Sequence, residues 1–453
     1  MNIVIAGVGE VVRYLAKMFS VENHNLTIID DNETKLNALS EHYDLMTVYG
    51  SATSIEDLNK VNIKNADLFV AVTSHESNNL TSCALAHNLG AKTTLARVDS
   101  KEYILNKNKE RFNDLGIKSL VYPELLTAQE IVKSLNNNWQ RINMSFCNDS
   151  LLLLAVKLRD NTDVLNKEFK TGFMDHGKFR ITAIKRSGDT FIPKGDDKLL
   201  SGDIVYLITT PEELEYTRIA LGKENRPIRR VMIMGGSRIG INTAQLLPRD
   251  VSAKIIEINP ERAEKIANLV PDNVMILNMD ARDLESLKEE GIENTDAFVA
   301  VTGSSDTNIL ACLAAKRFGI VKTIAEIENN DYIPLALNLD IGTIVNKKLI
   351  TASHIYQLTL DKSVLNVTCV PLSDAQVVEF EAVENSKVTK QKLRDLNIPS
   401  DVNFGGYVRN GKGYLCYGNT EIQVGDHVIV FCLATSIHAV EQLFHPKKSF
   451  FSK

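Results

Sequence analysis

An eleven-residue segment of this chain occurs twice. Ile63-Lys-Asn-Ala-Asp-Leu-Phe-Val-Ala-Val-Thr73 returns as Ile292-Glu-Asn-Thr-Asp-Ala-Phe-Val-Ala-Val-Thr302, with 8 of 11 positions identical at an offset of 229. The same offset pairs Cys83 with Cys312, and nearby offsets pair Gly7 with Gly235, Asp30 with Glu257 and Thr127-Ala128 with Thr351-Ala352. A repeat of that length copies whole domains, so the two halves must share one fold. A fainter repeat lies behind it. Arg186-Ser-Gly188 pairs with Arg409-Asn-Gly411, and Gly202-Asp203 with Gly425-Asp426, all at an offset of 223. The chain therefore reads as A–B–A′–B′, with segments 1–122, 123–222, 228–347 and 348–453. Four domains suit 453 residues, which exceed what one core can hold.

The two kinds of segment carry different patterns. In the first A segment, apolar strands fit 2–6, 26–30, 45–49, 68–72, 94–98 and 119–122, with amphipathic stretches between them. Strands alternating with helices predict a parallel sheet covered on both faces. The B segments hold short alternating strands broken at Ser187-Gly188-Asp189 and Asn410-Gly411-Lys412, which are hairpin signals. Asn136-Asn137-Asn138 reads as a helix end and Lys223–Pro227 as the link between halves. The expected fold class is α/β: two Rossmann-like parallel-sheet domains, each followed by a small α+β domain, in tandem.

The first A segment opens strand–Gly7-Val8-Gly9-Glu10-Val11-Val12–helix, and Asp30 ends the next strand. Glycines at that turn let a pyrophosphate approach the backbone, where the amides and dipole of the helix start meet its charge. An acid about 20 residues on accepts hydrogen bonds from ribose hydroxyls. Asp31 follows Asp30 with no Arg or Lys beside it, so a 2′-phosphate is repelled and NAD is favoured over NADP. The second copy has Gly235-Gly236-Ser237-Arg238-Ile239-Gly240 and Glu257. Each copy departs once from the glycine pattern. Val12 stands where helix and strand pack closely, and the expectation is that it overfills that contact. Ser237 stands where backbone approaches phosphate. The bland alternative for both loops is a turn that binds nothing.

Weaker candidates lie on the same carboxyl edge. Thr73-Ser74 and Thr302-Gly303 end the fourth strands, where either a ligand or the next helix could claim them. Arg97 ends the fifth strand and could reach a phosphate or form an ion pair, while Glu326 stands there in the second copy. Ser51 and Asp280 follow the third strands and could touch adenine, with helix capping as the alternative for Asp280. Cys83 and Cys312 lie in apolar stretches and read as core.

Composition excludes several classes. Purely apolar runs, such as Leu151–Val156, reach only six or seven residues, far below the roughly 18 that span a bilayer. A strand-like Asn2–Ala6 directly after Met1 leaves no room for a signal peptide. Net charge is −6 with no dense Lys/Arg block, which argues against a nucleic-acid partner. Six scattered cysteines (83, 147, 312, 369, 416, 432) spell neither a disulfide framework nor a zinc motif, and point to a reducing cytoplasm. The nine histidines show no close metal-ligand spacing, so no metal is expected.

Taken together, the tandem order, Gly7-Val-Gly9-Glu-Val with Asp30, the paired Phe-Val-Ala-Val-Thr strands and the Gly-Asp strands resemble the TrkA family. Its members are cytosolic regulatory subunits of Trk-type potassium uptake systems, built of two RCK (KTN plus TrkA-C) units. The resemblance covers nearly the whole chain. It implies NAD(H) in the A segments with ATP or ADP in competition. It also implies a homo-oligomeric ring at the inner face of the cell membrane, under an integral-membrane potassium-conducting partner. Carried over by position, the ligand set is Gly7, Val8, Gly9, Glu10, Val11, Asp30, Thr73, Ser74 and Arg97, then Gly235, Gly236, Ser237, Arg238, Ile239 and Glu257. The competing reading is an NAD-dependent oxidoreductase. That chemistry needs an acid–base residue brought to the nicotinamide, whereas the B segments are hairpin-rich and hold only isolated histidines such as His176 and His427.

Overall fold

The computed structural model describes residues 1–19, 24–172, 177–359, 366–369, 375–433 and 436–444. His176 lies outside them, as does the side chain of Cys369. Strands of the first A segment are β1 (Asn2–Ala6), β2 (Asn25–Asp30), β3 (Met46–Tyr49), β4 (Leu68–Ala71), β5 (Thr93–Arg97) and β6 (Ser119–Val121). They stand within one residue of the sequence expectation at each end and form one parallel sheet, ordered β3-β2-β1-β4-β5-β6. Burial on both faces explains their near-continuous apolar character. Phe69, Cys83 and Ala96 lie at the centre of its core.

The second A segment repeats this with β12 (Arg230–Met234), β13 (Ser252–Glu257), β14 (Val274–Asn278), β15 (Ala297–Ala300), β16 (Lys322–Glu326) and β17 (Thr343–Val345), ordered β14-β13-β12-β15-β16-β17. Phe298 and Cys312 take the places of Phe69 and Cys83. Each cysteine donates to a strand carbonyl, Cys83 Sγ to Leu95 O at 3.3 Å and Cys312 Sγ to Ile324 O at 3.5 Å. Both are core, as their sequence setting implies.

The B segments hold β7 (Ile142–Phe146), β8 (Leu151–Lys157), β9 (Phe179–Arg186), β10 (Asp189–Phe191) and β11 (Ile204–Thr209), then β18 (Asn366–Cys369), β19 (Ala375–Glu381), β20 (Val402–Arg409), β21 (Lys412–Leu415) and β22 (His427–Leu433). They form two antiparallel sheets, β10-β9-β11-β8-β7 and β18-β19-β22-β20-β21. Ser187-Gly188 and Asn410-Gly411 are the two-residue hairpin turns, with φ of 52° and 103°, then 53° and 76°. Both central residues in the left-handed region match the twist of the flanking strands. The offset-223 repeat has a structural meaning. Arg186 Nε and Nη2 donate to the Asp203 carboxylate at 2.8 and 2.7 Å, and Arg409 does the same to Asp426 at 2.8 and 2.6 Å. Both aspartates are buried.

The chain divides into two compact units that do not follow the linear order of the repeat. One holds residues 1–130 together with 237–246 and 345–359, so the helices Arg238–Leu246 and Lys347–Thr359 belong with the first sheet. Within it, the helix Glu10–Phe19 meets Lys347–Thr359, with the Phe19 and Tyr356 rings 5.2 Å apart. The other unit holds the second parallel sheet and both antiparallel sheets. In it, Leu153 and Tyr206 from one antiparallel sheet share a core with Val377 and Phe431 from the other. Among the described residues, no helix is long and apolar enough to cross a membrane.

Candidate nucleotide site

Strand order reverses between β1 and β4, and open parallel sheets bind ligands beyond the carboxyl ends of the strands at such a reversal. Gly7 follows β1 there with φ of +113°, a conformation side chains rarely adopt. A Cβ at Gly7 would stand 3.2 Å from Thr73 N and from Val72 C and O, so glycine also lets the two strand ends meet. Gly7 N donates to Ile29 O at 2.9 Å. Val8 is half-buried and Gly9 exposed, and a Cβ on Gly9 would meet nothing within 4 Å. The space beside Gly9 is open. Glu10 begins the helix, so the amides of Glu10 and Val11 precede the first intrahelical carbonyl partner, while Val12 N and Arg13 N already bond to Gly9 O.

Asp30 ends β2 on the same edge, half-buried, with Asn32 N donating to Oδ1 at 2.8 Å. Burial raises its pKa from the ordinary value, opposed by the Asn32 amide and reinforced by the Asp31 charge. The Thr73 hydroxyl donates to Asn79 Oδ1 at 2.7 Å, and Ser74 beside it is exposed. Arg97 reaches back over this edge, donating to Thr73 O at 3.1 Å and pairing with Asp99 at 2.8 Å. The ion-pair alternative for Arg97 is thus realised, at a place from which the guanidinium still borders the edge.

Sequence reasoning missed the residue that ties this edge together. Asn79 is buried, accepts from Thr73 N at 2.9 Å, and donates to Thr73 O at 3.2 Å and Arg97 O at 3.0 Å. Asn308 makes the same set with Thr302 and with Glu326 O. The signal was present: both asparagines sit at the offset of 229.

The second copy is built differently. Gly235 has φ of +110°, and a Cβ there would stand 2.8 Å from Val301 O. Glu257, one methylene longer than aspartate and buried, folds back to accept from Gly236 N at 3.1 Å and from Asn259 N at 2.9 Å. A Cβ at Gly236 would stand 2.7 Å from Ile266 Cδ1 and 2.8 Å from Glu257 Oε2, so the space above this glycine is filled. Arg262 Nε donates to Gly236 O at 3.1 Å. Gly235, Gly236 and Glu257 are therefore brought together, but the carboxylate occupies the loop amide. Ser237, Arg238 and Ile239 open a helix of the other compact unit, where Ser237 Oγ accepts from Gly240 N at 3.2 Å. Ser237 acts as a helix cap. Arg238 is exposed and Ile239 buried.

The two adenine candidates make local bonds. Ser51 N donates to Asp57 at 2.9 Å, and Asp280 accepts from Arg282 N at 2.9 Å and pairs with its guanidinium. The residue that caps the helix Leu284–Glu289 is Asp283. Val12 is fully buried in the first helix turn, its N donating to Gly9 O at 3.0 Å. The helix face that carries Val12 also carries Leu15 and Ala16 into the interior.

Comparison with known proteins follows this geometry. The TrkA-N domain family matches residues 3–123 and 231–347, and the TrkA-C domain family matches 153–221 and 377–445. The Trk system potassium uptake protein TrkA of Vibrio alginolyticus is 29% identical over 458 residues, covering 99% of this chain and 100% of that protein. The TrkA homolog of Archaeoglobus fulgidus is 30% identical over 446 residues, covering 98% and 100%. Among solved structures, the GsuK channel bound to NAD is similar with a TM-score of 0.57 and 16% identity, over 98% of this chain and 78% of that one. At that identity the likeness supports the fold alone.

Proposed function

Because this chain belongs to the TrkA-N and TrkA-C family, in the tandem order of the TrkA proteins of Trk potassium uptake systems, we propose that it is the nucleotide-sensing regulatory subunit of such a system. Segments 1–122 and 228–347 are the nucleotide-binding lobes, and 123–222 and 348–453 the small lobes. The first lobe takes NAD(H), with ATP or ADP competing for the same loop. The observation that carries this is the glycine loop at Gly7–Val11, with open space beside Gly9, on the same sheet edge as the end of the Asp30 strand at the reversal point. There the helix-start amides hold the pyrophosphate, Asp30 holds a ribose, and Thr73, Ser74 and Arg97 border the phosphates.

The second lobe binds more weakly, since a ligand there must displace Glu257 from Gly236 N. A bound nucleotide shifts the protein only by its differential affinity for two arrangements, which is how binding becomes regulation. The chain acts as a ring of identical subunits at the cytoplasmic face of the membrane, under its potassium-conducting partner. It binds the cofactor rather than reacting with it.

Calorimetric titration of the full chain with NADH, repeated with ATP and ADP present, tests the ligand. Potassium uptake by potassium-starved cells lacking the protein tests the role. Undiminished uptake would defeat the regulatory reading, and steady NADH oxidation with a small carbonyl would favour an oxidoreductase.

A further inference from the structure

The nine histidines and six cysteines show no ligand spacing along the chain, yet the fold brings three metal-binding side chain types together within the larger unit. Cys147 sits in the turn between β7 and β8, where Cys147, Asn148 and Asp149 all have positive φ, of 51°, 54° and 64°. Asparagine and aspartate tolerate that region, but a cysteine there is uncommon. Glu379 lies in the middle of β19 opposite Ile429, and His427 begins β22 opposite Glu381. Glu379 is 2% exposed, while Cys147 and His427 are half-buried.

Cys147 Sγ is 3.1 Å from Glu379 Oε1, and His427 Nδ1 is 3.0 Å from the same oxygen. All three donor atoms lie within 4.8 Å of one another. Two hydrogen bonds to a buried carboxylate account for those contacts in the absence of a cation. The same spacing has a second reading. Zinc bonds of about 2.3 Å to sulfur and about 2.0–2.2 Å to nitrogen and oxygen, at a tetrahedral angle, set donor atoms about 3.3–3.6 Å apart. The donors therefore need to move by only about 1 Å or less, within the reach of side-chain torsions.

We propose that Cys147, Glu379 and His427 form a site for a thiophilic divalent transition metal, of the Zn²⁺ type, that joins the two small antiparallel sheets. Thiolate, imidazole and one carboxylate select zinc over magnesium or calcium, which want oxygen ligands only. Binding releases the Cys147 thiol proton to solvent and leaves the fourth position to water. Cys147 comes from the first small lobe, Glu379 and His427 from the second. The cation thus pins one lobe to the other, independently of any nucleotide and of the nucleotide reading.

The test uses the full chain, reduced, stripped with a chelator and titrated with Co²⁺. A thiolate-to-cobalt charge-transfer band in the near ultraviolet should saturate at one equivalent and disappear when Zn²⁺ is added. Among the described cysteines Cys83, Cys312, Cys416 and Cys432 are buried free thiols, so with Cys369 replaced by serine throughout, Cys147→Ser should abolish the band. His427→Gln should weaken Zn²⁺ binding by at least about tenfold in competition with a chromophoric chelator. NADH affinity and circular dichroism check the fold of both variants. Absence of the band in the unmodified chain overturns the proposal without reference to any variant. Survival of the band in Cys147→Ser, or unchanged Zn²⁺ affinity in His427→Gln, overturns it as well.

Discussion

Replacing Val12 with glycine restores the third glycine of the dinucleotide-binding pattern, and the sequence alone predicts that this relieves a tight contact. The structure predicts the opposite. Val12 is fully buried in the first helix, and its amide keeps a hydrogen bond to Gly9 O at 3.0 Å. Removing its three side-chain carbons forfeits about 2.4 kcal/mol at about 0.8 kcal/mol per buried carbon. Glycine in a helix costs roughly 0.4 kcal/mol more than valine, and incomplete closure of the cavity adds to both. The total is about 3 kcal/mol. For a unit of this size, about 2–4 °C per kcal/mol converts to a midpoint lower by roughly 6–12 °C. A thermal scan of the full chain without ligand measures it on the transition of the unit that holds residues 1–130. NADH affinity should stay within about twofold, a change of roughly 0.4 kcal/mol, because the loop amides and Asp30 are untouched. A raised midpoint, or a clearly tighter NADH complex, would refute this account and restore the overfilled contact.

Asp30→Ala should weaken NADH binding by about 1–3 kcal/mol by leaving ribose hydroxyls unpaired, and unchanged calorimetric affinity would remove Asp30 from the site. Asp203→Ala strands Arg186 and the Leu200 amide, both of which donate to its buried carboxylate. It should cost about 3 kcal/mol in urea unfolding, the lower end of the range because the arginine is partly hydrated; a loss under about 1 kcal/mol would show that the pair contributes little. Lys223 has its pKa lowered to about 8 by burial and by the Arg159, Arg141 and Lys157 charges. Its unfolded form takes up a proton first as pH falls from the ordinary 10.5, so stability should decline from there down to about 8 and then level off. Lys223→Gln should flatten that part of the pH profile, and an unaltered profile would assign the slope elsewhere.

Much of this molecule could be read from local rules acting over a few residues. The strands of the first sheet followed from apolar runs separated by amphipathic stretches. Ser187-Gly188 and Asn410-Gly411 marked their hairpins because only such pairs adopt positive φ twice in succession cheaply. Gly7, Gly235, Asp30 and Glu257 were placed at strand ends by the same short-range logic, and the repeat offsets assigned Cys83 and Cys312 to matching cores. Asn79 and Asn308 were equally visible at the offset of 229, although only the folded edge shows their bonds. What tertiary structure alone decided was which partner each surface group meets. Glutamate in place of aspartate is a conservative change in sequence, but one extra methylene carries Glu257 onto Gly236 N and fills the second loop. Periodicity shows that a helix has a buried face without showing against what, so the grouping of Arg238–Leu246 and Lys347–Thr359 with the first sheet had no local signature. Cys147 and Glu379 are 232 residues apart and meet because two sheets share one core. Such meetings depend on the packing of the whole chain, and no window of sequence short enough to be governed by backbone sterics contains both partners.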